Sequence, residues 1–360
     1  MTPTRFIANA AIILVASMPC EARGQDATAL ARAGTTALEQ HRFGEALSAF
    51  NEAVRIRPSD SGLSFGEGVA AFMLGQKEVA RSSFERALTL TPGYLPAALW
   101  LADLHYRAGR LEEAISTCEA ALQRAPRDRD LQKRLGHWRK ERELERRFRE
   151  IRTAHFIVLF EASADEALAG QVLERLEAAY SRIGNTLRVY PSQPITALIY
   201  SRQQFDDITK LAAWSTAGYD GRIRLPRSVA ADQGDELDRV LSHEFVHALV
   251  EMLAGRTVPA WINEGLATAL EPSSSAVIDP VTRTTWRSDL SRLHRSFIDL
   301  SRRDAEVAYA SATEAVRRLI ERHGATAVVA LLEDLGRGAP FATAFEQRTA
   351  MRYEDFVANR

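Results

Sequence analysis

The sequence predicts a mainly α-helical protein in two parts, an N-terminal α-solenoid followed by an α+β domain with a small sheet and a long amphipathic helix. A 34-residue repeat in the first third of the chain predicts the solenoid. After Arg152 the pattern changes to short β-rich runs between helical ones, which predicts the α+β domain over 152–360. The length of 360 residues also fits roughly two domains.

The first 24 residues have the pattern of a secretory signal peptide. A positively charged start precedes an apolar run over 6–15, which is too short to span a bilayer, and the small residues at positions 22 and 24 suit cleavage before Gln25. We therefore expect an exported protein, periplasmic or secreted, with no integral membrane segment in the mature chain. One alternative is a lipoprotein acylated at Cys20, which the preceding Pro19 disfavours; another is a buried N-terminal helix.

Residues 27–128 contain three units of one repeat. The 34-residue step relates Pro58, Pro92 and Pro126, as well as the columns Gly34/Gly68/Ala102, Ala46/Ala80/Ala114, Phe50/Phe84/Cys118 and Ala53/Ala87/Ala121. This pattern resembles the tetratricopeptide repeat (TPR), which implies stacked helix pairs and a groove that binds a protein partner. Cys118 departs from the aromatic column, and we expect a core residue there, a reactive thiol being the alternative.

Residues 129–151 are predicted to form a helix that caps the repeats and links the two parts. Their apolar residues follow a helical stripe, namely Leu131, Leu135, Trp138, Leu144, Phe148 and Ile151. The range 127–152 holds 11 Arg and Lys against 6 Asp and Glu, a net charge of +5. A solvated connecting helix is the favoured interpretation, and a binding patch for an acidic partner is the alternative.

The composition excludes several classes of protein. The chain has 46 Lys and Arg against 47 Asp and Glu, and this near-neutral balance argues against a nucleic-acid partner. Its two cysteines are too few for a disulfide-stapled scaffold or a multi-cysteine zinc ribbon. Any metal site must therefore be built from His, Glu and Asp.

Helices and short strands mix in the second part. The predicted strands cover 155–160, 195–200 and 221–226, and the predicted helices cover 164–189, 205–211 and 235–253. The strand over 221–226 alternates as a half-exposed edge strand does.

The chemistry is concentrated in residues 243–247, which read His-Glu-Phe-Val-His inside the last of these helices. His243 and His247 are four residues apart, so both imidazoles project from one helix face and can reach one metal ion. Glu244 lies beside that ion, where it can hold a water. The alternative is a helix with solvated His and Glu side chains. A zinc site needs a third protein ligand, either a histidine, which residues 248–257 lack, or a glutamate on a following helix.

The segment Trp-Ile-Asn-Glu-Gly-Leu-Ala at 261–267 begins a second helix, and 16 residues separate His247 from Glu264. It resembles the third-ligand segment of the gluzincins, the thermolysin-like, peptidase-MA-type zinc metallopeptidases. This resemblance implies a zincin domain in which His243, His247 and Glu264 bind one Zn²⁺ per chain. It also implies that Glu244 is the general base.

The same resemblance implies further roles. An edge strand containing Arg222, Ile223 and Arg224 would pair with an extended substrate. Tyr309, ahead of an amphipathic helix over 316–324, is the candidate stabiliser of the oxyanion, with His294 as the alternative. Some gluzincins place a histidine-orienting carboxylate four residues after the third ligand. Here that position is Thr268, which leaves the orienting group open.

The sequence thus predicts a zinc-dependent peptidase in which Glu244 is the general base and the TPR module docks a protein or peptide. The first alternative is a catalytically silent, zincin-like TPR scaffold that only binds. A zinc hydrolase of a non-peptide bond is the second alternative.

Overall fold

The computed structural model describes residues 22–161, 165–209, 217–232, 234–272, 293–294, 297 and 300–358. The chain divides into two compact units. The first comprises Met1–Arg142, Ala254–Thr257 and Asp334–Phe341, and the second comprises Glu143–Leu253, Val258–Glu333 and Ala342–Arg360. Almost all of the signal peptide predicted over 1–24 lies outside the described residues, so export stays a prediction.

The first unit contains consecutive helix pairs joined by short turns. The pairs are α1 (Ala22–Glu39) with α2 (Phe43–Ile56), α3 (Ser61–Met73) with α4 (Lys77–Leu90), and α5 (Leu95–Arg107) with α6 (Leu111–Arg124). Each pair corresponds to one 34-residue unit of the sequence. The solenoid-like helical repeats expected in the N-terminal region are therefore present.

Close packing explains the small residues on the facing helices of the repeats. A methyl group at Gly34 or Gly66 would lie 2.8 or 2.4 Å from the ring of Phe50, and one at Gly68 would lie 2.5 Å from Phe84. Larger side chains there would force the helices apart. In the third unit Cys118 is fully buried in the core, and burial raises the pKa of its thiol to about 11. Cys118 is therefore a core residue, as expected.

The connector is a helix only in its first part. Helix α7 spans Arg129–Glu145, and its residues Leu131, Leu135 and Trp138 are buried against the last repeat. The helix predicted to reach Ile151 is wrong there, because residues 148–152 form a strand instead. Basic residues of α7 form ion pairs within the first unit: Arg134 with Asp103, Arg139 with Glu119 and Arg142 with Glu112. These pairs weaken the interpretation of this segment as a binding patch for an acidic partner.

The second unit contains a five-stranded sheet. Its strands are β1 (Phe148–Arg152), β2 (Phe156–Glu161), β3 (Ile195–Tyr200), β4 (Gly218–Tyr219) and β5 (Ile223–Pro226), in the spatial order β1-β2-β3-β5-β4. Strands β2, β3 and β5 are parallel, whereas β1 and β4 pair antiparallel at the two edges. Strand β5 therefore lies inside the sheet, and the expectation of an edge strand at this position is wrong.

Most of the rest of the described second half is helical. The helices are α8 (Glu166–Leu187), α9 (Arg202–Thr209), α10 (Arg227–Ala230), α11 (Asp235–Ala254), α12 (Ala260–Ala269), α13 (Arg302–His323), α14 (Ala325–Gly336), α15 (Phe341–Thr349) and α16 (Tyr353–Ala358). Helices α12 and α13 approach closely, because a methyl group at Gly265 would lie 2.4 Å from the carbonyl oxygen of Ala312. In the part of the chain that is described, no helix is long and apolar enough to cross a membrane.

Candidate metal centre

Helix α11 carries the two histidines of the candidate metal centre. Its apolar residues, among them Leu241, Phe245 and Leu249, are fully buried and fix the helix in the core of the second unit. His243 and His247 follow each other by one turn, and their ring centroids lie 4.7 Å apart. The packed face of α11 thus leaves both imidazoles directed to one point.

Glu264 on helix α12 meets both histidines. Its Oε2 atom lies 3.5 Å from the Nε2 atom of His243 and 3.5 Å from that of His247. The candidate ligand atoms of these three residues all lie within 4.8 Å of one another. Among the described residues, this is the group of His, Cys, Asp and Glu side chains with ligand atoms close enough for one metal ion.

The arrangement fits the size and the donor preference of zinc. Zinc bonds of about 2.0–2.1 Å in a tetrahedron place ligand atoms roughly 3.3 Å apart, close to the two distances to Glu264. The Oε2 atoms of Glu264 and Glu244 are also buried, and neither has a hydrogen-bond partner at an ordinary distance, since the imidazole nitrogens lie 3.5 Å from Glu264 Oε2. Unpaired buried carboxylate oxygens are costly, and a bound cation would satisfy them. Two imidazoles and one carboxylate also match a catalytic zinc site with an open fourth position.

The charges of the cluster are strongly coupled. Burial acts to raise the pKa of Glu264, but the positive charges of His247 and His243 outweigh it and hold that pKa well below its usual range. Burial acts to lower the pKa of His243, but the neighbouring carboxylates of Glu264 and Glu271 raise it to about 10. The pKa of His247 is also raised, because Glu264 outweighs burial there. The carboxylates around the two imidazoles thus favour a positive charge at the position where a cation would bind.

Glu244 is placed to exchange a proton beside the cluster. Its side chain is only 7% exposed, and burial raises the pKa of its carboxyl against the opposing charges of His247 and His243. A carboxylate whose pKa is raised is a better proton acceptor than a solvated one.

Two residues outside the ligand set orient the imidazoles. The Nδ1 atom of His243 lies 2.9 Å from Oε1 of Glu271, and the Nδ1 atom of His247 lies 3.0 Å from Oδ1 of Asn263. These bonds fix both rings with Nε2 towards Glu264. The group that orients His243 is therefore Glu271, seven residues after Glu264, and not Thr268. The sequence analysis missed Asn263 and Glu271, although one is adjacent to Glu264 and the other is two helical turns beyond it.

Tyr309 lies at the cluster, whereas His294 hydrogen bonds elsewhere. The Tyr309 ring centroid is 6.3 Å from that of His243. Burial raises the pKa of Tyr309, and the hydrogen-bonded carboxylate of Glu264 raises it further, so the hydroxyl stays a donor. Tyr309 lies inside α13, which corrects the expectation that it precedes a helix. The Nε2 atom of His294 lies 2.9 Å from the hydroxyl of Tyr353.

The proposed substrate strand is buried. Arg222, Ile223 and Arg224 are 3%, 0% and 1% exposed. Arg222 pairs with Glu145 at 2.8 Å, and Arg224 pairs with Asp220 at 2.9 Å. Both guanidinium groups make internal ion pairs, and the strand that carries them lies inside the sheet, so the expectation of an exposed edge strand that pairs with a substrate is wrong here.

Comparisons with known proteins address the N-terminal region. Two tetratricopeptide repeat models match residues 31–94 and 71–135, so this region consists of TPR repeats. Anaphase-promoting complex subunit 7 of Arabidopsis thaliana is 40% identical over 79 residues, which are 22% of this chain and 14% of that protein. Protein STIP1 homolog of Dictyostelium discoideum is 27% identical over 111 residues, 31% of this chain and 20% of that protein. The chain therefore spans a fifth or less of these relatives.

Solved TPR structures are also similar to part of the chain. The first TPR of Spaghetti (RPAP3) bound to the HSP90 peptide SRMEEVD has 22% identity and a TM-score of 0.32. The Arabidopsis OM64 TPR domain has 16% identity and a TM-score of 0.32. Each match covers 33% of this chain and 98% of the other.

Proposed function

We propose that this protein is a zinc-dependent peptidase of the gluzincin type whose TPR region binds a protein substrate or partner. The observation that carries the proposal is the position of the Glu264 Oε2 atom, 3.5 Å from the Nε2 atoms of both His243 and His247. These distances bring side chains of two separate helices, α11 and α12, together as one set of metal ligands. It supports the thermolysin-like interpretation of the second half, which rests otherwise on the motif alone.

The proposed roles follow from the contacts. His243, His247 and Glu264 would hold one zinc ion, and zinc bound there supplies a lowered water pKa and a polarised scissile carbonyl. Glu244 accepts the proton of the attacking water and passes it to the leaving amine. Tyr309, kept protonated beside Glu264, donates a hydrogen bond to the developing oxyanion.

A TPR binding protein with a catalytically silent second half is the other candidate. The comparisons favour it, because the family models match only within 31–135 and TPR regions bind protein partners. The presence of Glu244 favours the peptidase, since a purely structural metal site does not require a buried carboxylate beside its ligands. In either case the partner is a protein or peptide, consistent with the near-neutral charge of the chain.

The test compares the unchanged protein with Glu244→Gln and Tyr309→Phe. We expect about one zinc per chain in all three, because neither substitution removes a ligand. Cleavage of casein is expected to fall about 10²–10⁴-fold in Glu244→Gln and about 10²–10³-fold in Tyr309→Phe. Tyr190→Phe serves as the control, because Tyr190 is 44% exposed and bonds to Asn185.

Each outcome separates the candidates. Zinc in all the proteins without cleavage by any of them would favour the silent binding protein. Cleavage of esters but not of casein would identify a hydrolase of a non-peptide bond. The absence of zinc from the unchanged protein would show that the metal assignment is wrong.

A further inference from the structure

Arg182 on helix α8 bonds to two elements of the candidate metal centre at once. Its Nη2 atom donates to Oγ of Ser242 at 2.7 Å, and its Nη1 atom donates to the carbonyl oxygen of Leu270 at 2.7 Å. Ser242 belongs to α11, and Leu270 is the C-cap residue that directly follows α12. One planar guanidinium, with its donors in a fixed fork, thus spans two helices.

Both partners of Arg182 are the immediate neighbours of an orienting pair. Ser242 precedes His243, and Leu270 precedes Glu271. His243 and Glu271 are themselves joined by the 2.9 Å contact between Nδ1 and Oε1. Arg182 is thus connected through Ser242 to His243, and through Leu270 to Glu271. The contact between His243 and Glu271 closes this ring, which contains one metal ligand and the carboxylate that orients it.

The energetics favour Arg182 in this position. Ser242 is only 2% exposed, so its hydroxyl needs a partner within the protein. The Leu270 carbonyl lies at the C-terminal end of α12, where carbonyls lack partners within the helix and a positive charge is favourable. Glu271 is also approached by Arg239, whose Nη1 atom lies 3.7 Å from Oε1 of Glu271, but Arg239 belongs to α11 itself. Arg182 therefore links the end of α12 to helix α8, whereas Arg239 does not.

We infer that Arg182 is a positioning residue for the metal centre. It fixes the end of α12 against α11, so that Glu271 stays in reach of His243 and the His243 Nε2 atom stays directed at Glu264. This inference rests on the proposed zinc site. It assigns to Arg182 no contact with the metal or with substrate.

The chain offers a matched control for a purely structural role. Arg175 lies on the same helix α8, and its Nη1 atom pairs with Oδ2 of Asp238 on α11 at 2.8 Å. This contact joins the same two helices but involves no neighbour of His243 or Glu271. Arg175→Gln therefore removes a link between α8 and α11 and leaves the orienting ring intact.

The experiment measures zinc affinity by competition with a chromophoric chelator, together with the visible absorption of the Co²⁺-substituted protein. Thermal unfolding of each metal-free protein reports stability separately. We expect Arg182→Gln to bind zinc on the order of tenfold more weakly, with an altered Co²⁺ spectrum, as for residues that orient ligands indirectly. Arg182→Lys should recover part of this loss, because its single ammonium keeps the charge but not the fork. Arg175→Gln is expected to bind zinc as the unchanged protein does.

If Arg182→Gln fails to fold, Ser242→Ala removes only the hydrogen bond from Arg182 to α11 and should destabilise the protein less. That variant is then expected to lose zinc affinity several-fold. Equal zinc affinity and equal Co²⁺ spectra in the unchanged protein and the Arg182 or Ser242 variants would overturn the inference alone. Equal losses in Arg182→Gln and Arg175→Gln would also overturn it, in favour of general stabilisation by α8. No zinc in the unchanged protein would overturn the proposed function and this inference together.

Discussion

Replacing Glu271 by glutamine tests how strongly the outer contacts of the cluster control zinc binding. Its carboxylate lies 2.9 Å from the His243 Nδ1 atom, and its side chain is only 13% exposed. The amide oxygen of glutamine can still accept this hydrogen bond, but it lacks the negative charge that makes the imidazole a stronger donor to zinc. Losing such an orienting carboxylate lowers metal affinity about 10- to 100-fold, which corresponds to about 1.4–2.7 kcal/mol.

The assay is competition for zinc against a chromophoric chelator at neutral pH. Thr268→Ala is the control, because the resemblance to gluzincins suggested position 268 for the orienting group, whereas Glu271 makes the contact in this structure. We expect Thr268→Ala to bind zinc nearly as the unchanged protein does. Unchanged zinc affinity in Glu271→Gln, or an equal loss in Thr268→Ala, would refute the reasoning.

Three further predictions concern the metal site, the packing of α12 and the buried thiol of the repeats. Zinc affinity should fall about tenfold per pH unit for each displaced proton as the pH is lowered, because the pKa of His243 is about 10 in the metal-free protein and zinc must displace its proton. Isothermal titration calorimetry with zinc across pH 6–8 measures this slope. Gly265→Ala should destabilise the protein by about 1–3 kcal/mol and weaken zinc binding, because its methyl group would lie 2.4 Å from the Ala312 carbonyl. Gly170→Ala, with open space around it, should not destabilise the protein in the same thermal unfolding assay. Cys118 should react with a maleimide only after unfolding, as peptide mass spectrometry can detect.

Local sequence patterns predicted the elements of the repeat region well. The 34-residue step depends on contacts between neighbouring helices, such as Phe50 against Gly34, so the chemistry of each contact recurs in the sequence. The same locality explains why His243 and His247 could be placed on one helix face. A spacing of four residues is sufficient for that conclusion once the helix is recognised.

The errors arose where contacts between distant segments decide the structure. Leu144, Phe148 and Ile151 have helical spacing, but pairing of residues 148–152 with β2 makes that segment a strand. Arg222 and Arg224 alternate with apolar residues as exposed side chains do, but ion pairs with Glu145 and Asp220 allow them to be buried. Neither partner is recognisable from the strand sequence alone.

The orienting residues were missed for a related reason. Glu271 follows the last residues of α12, and its contact with His243 depends on how that helix ends beside α11. Glu271 can be read from the sequence, but the direction that the chain takes after α12 cannot.

The most direct test of the account is the zinc content of the purified protein beside the double variant His243→Ala/His247→Ala. His155→Ala serves as the control, because His155 contacts Glu177 at 2.8 Å and is not part of the cluster. Inductively coupled plasma mass spectrometry should find about one zinc per chain in the unchanged protein and in the control, and almost none in the double variant. No zinc in the unchanged protein, or equal zinc in all three, would contradict the assignment of His243, His247 and Glu264 as one metal site.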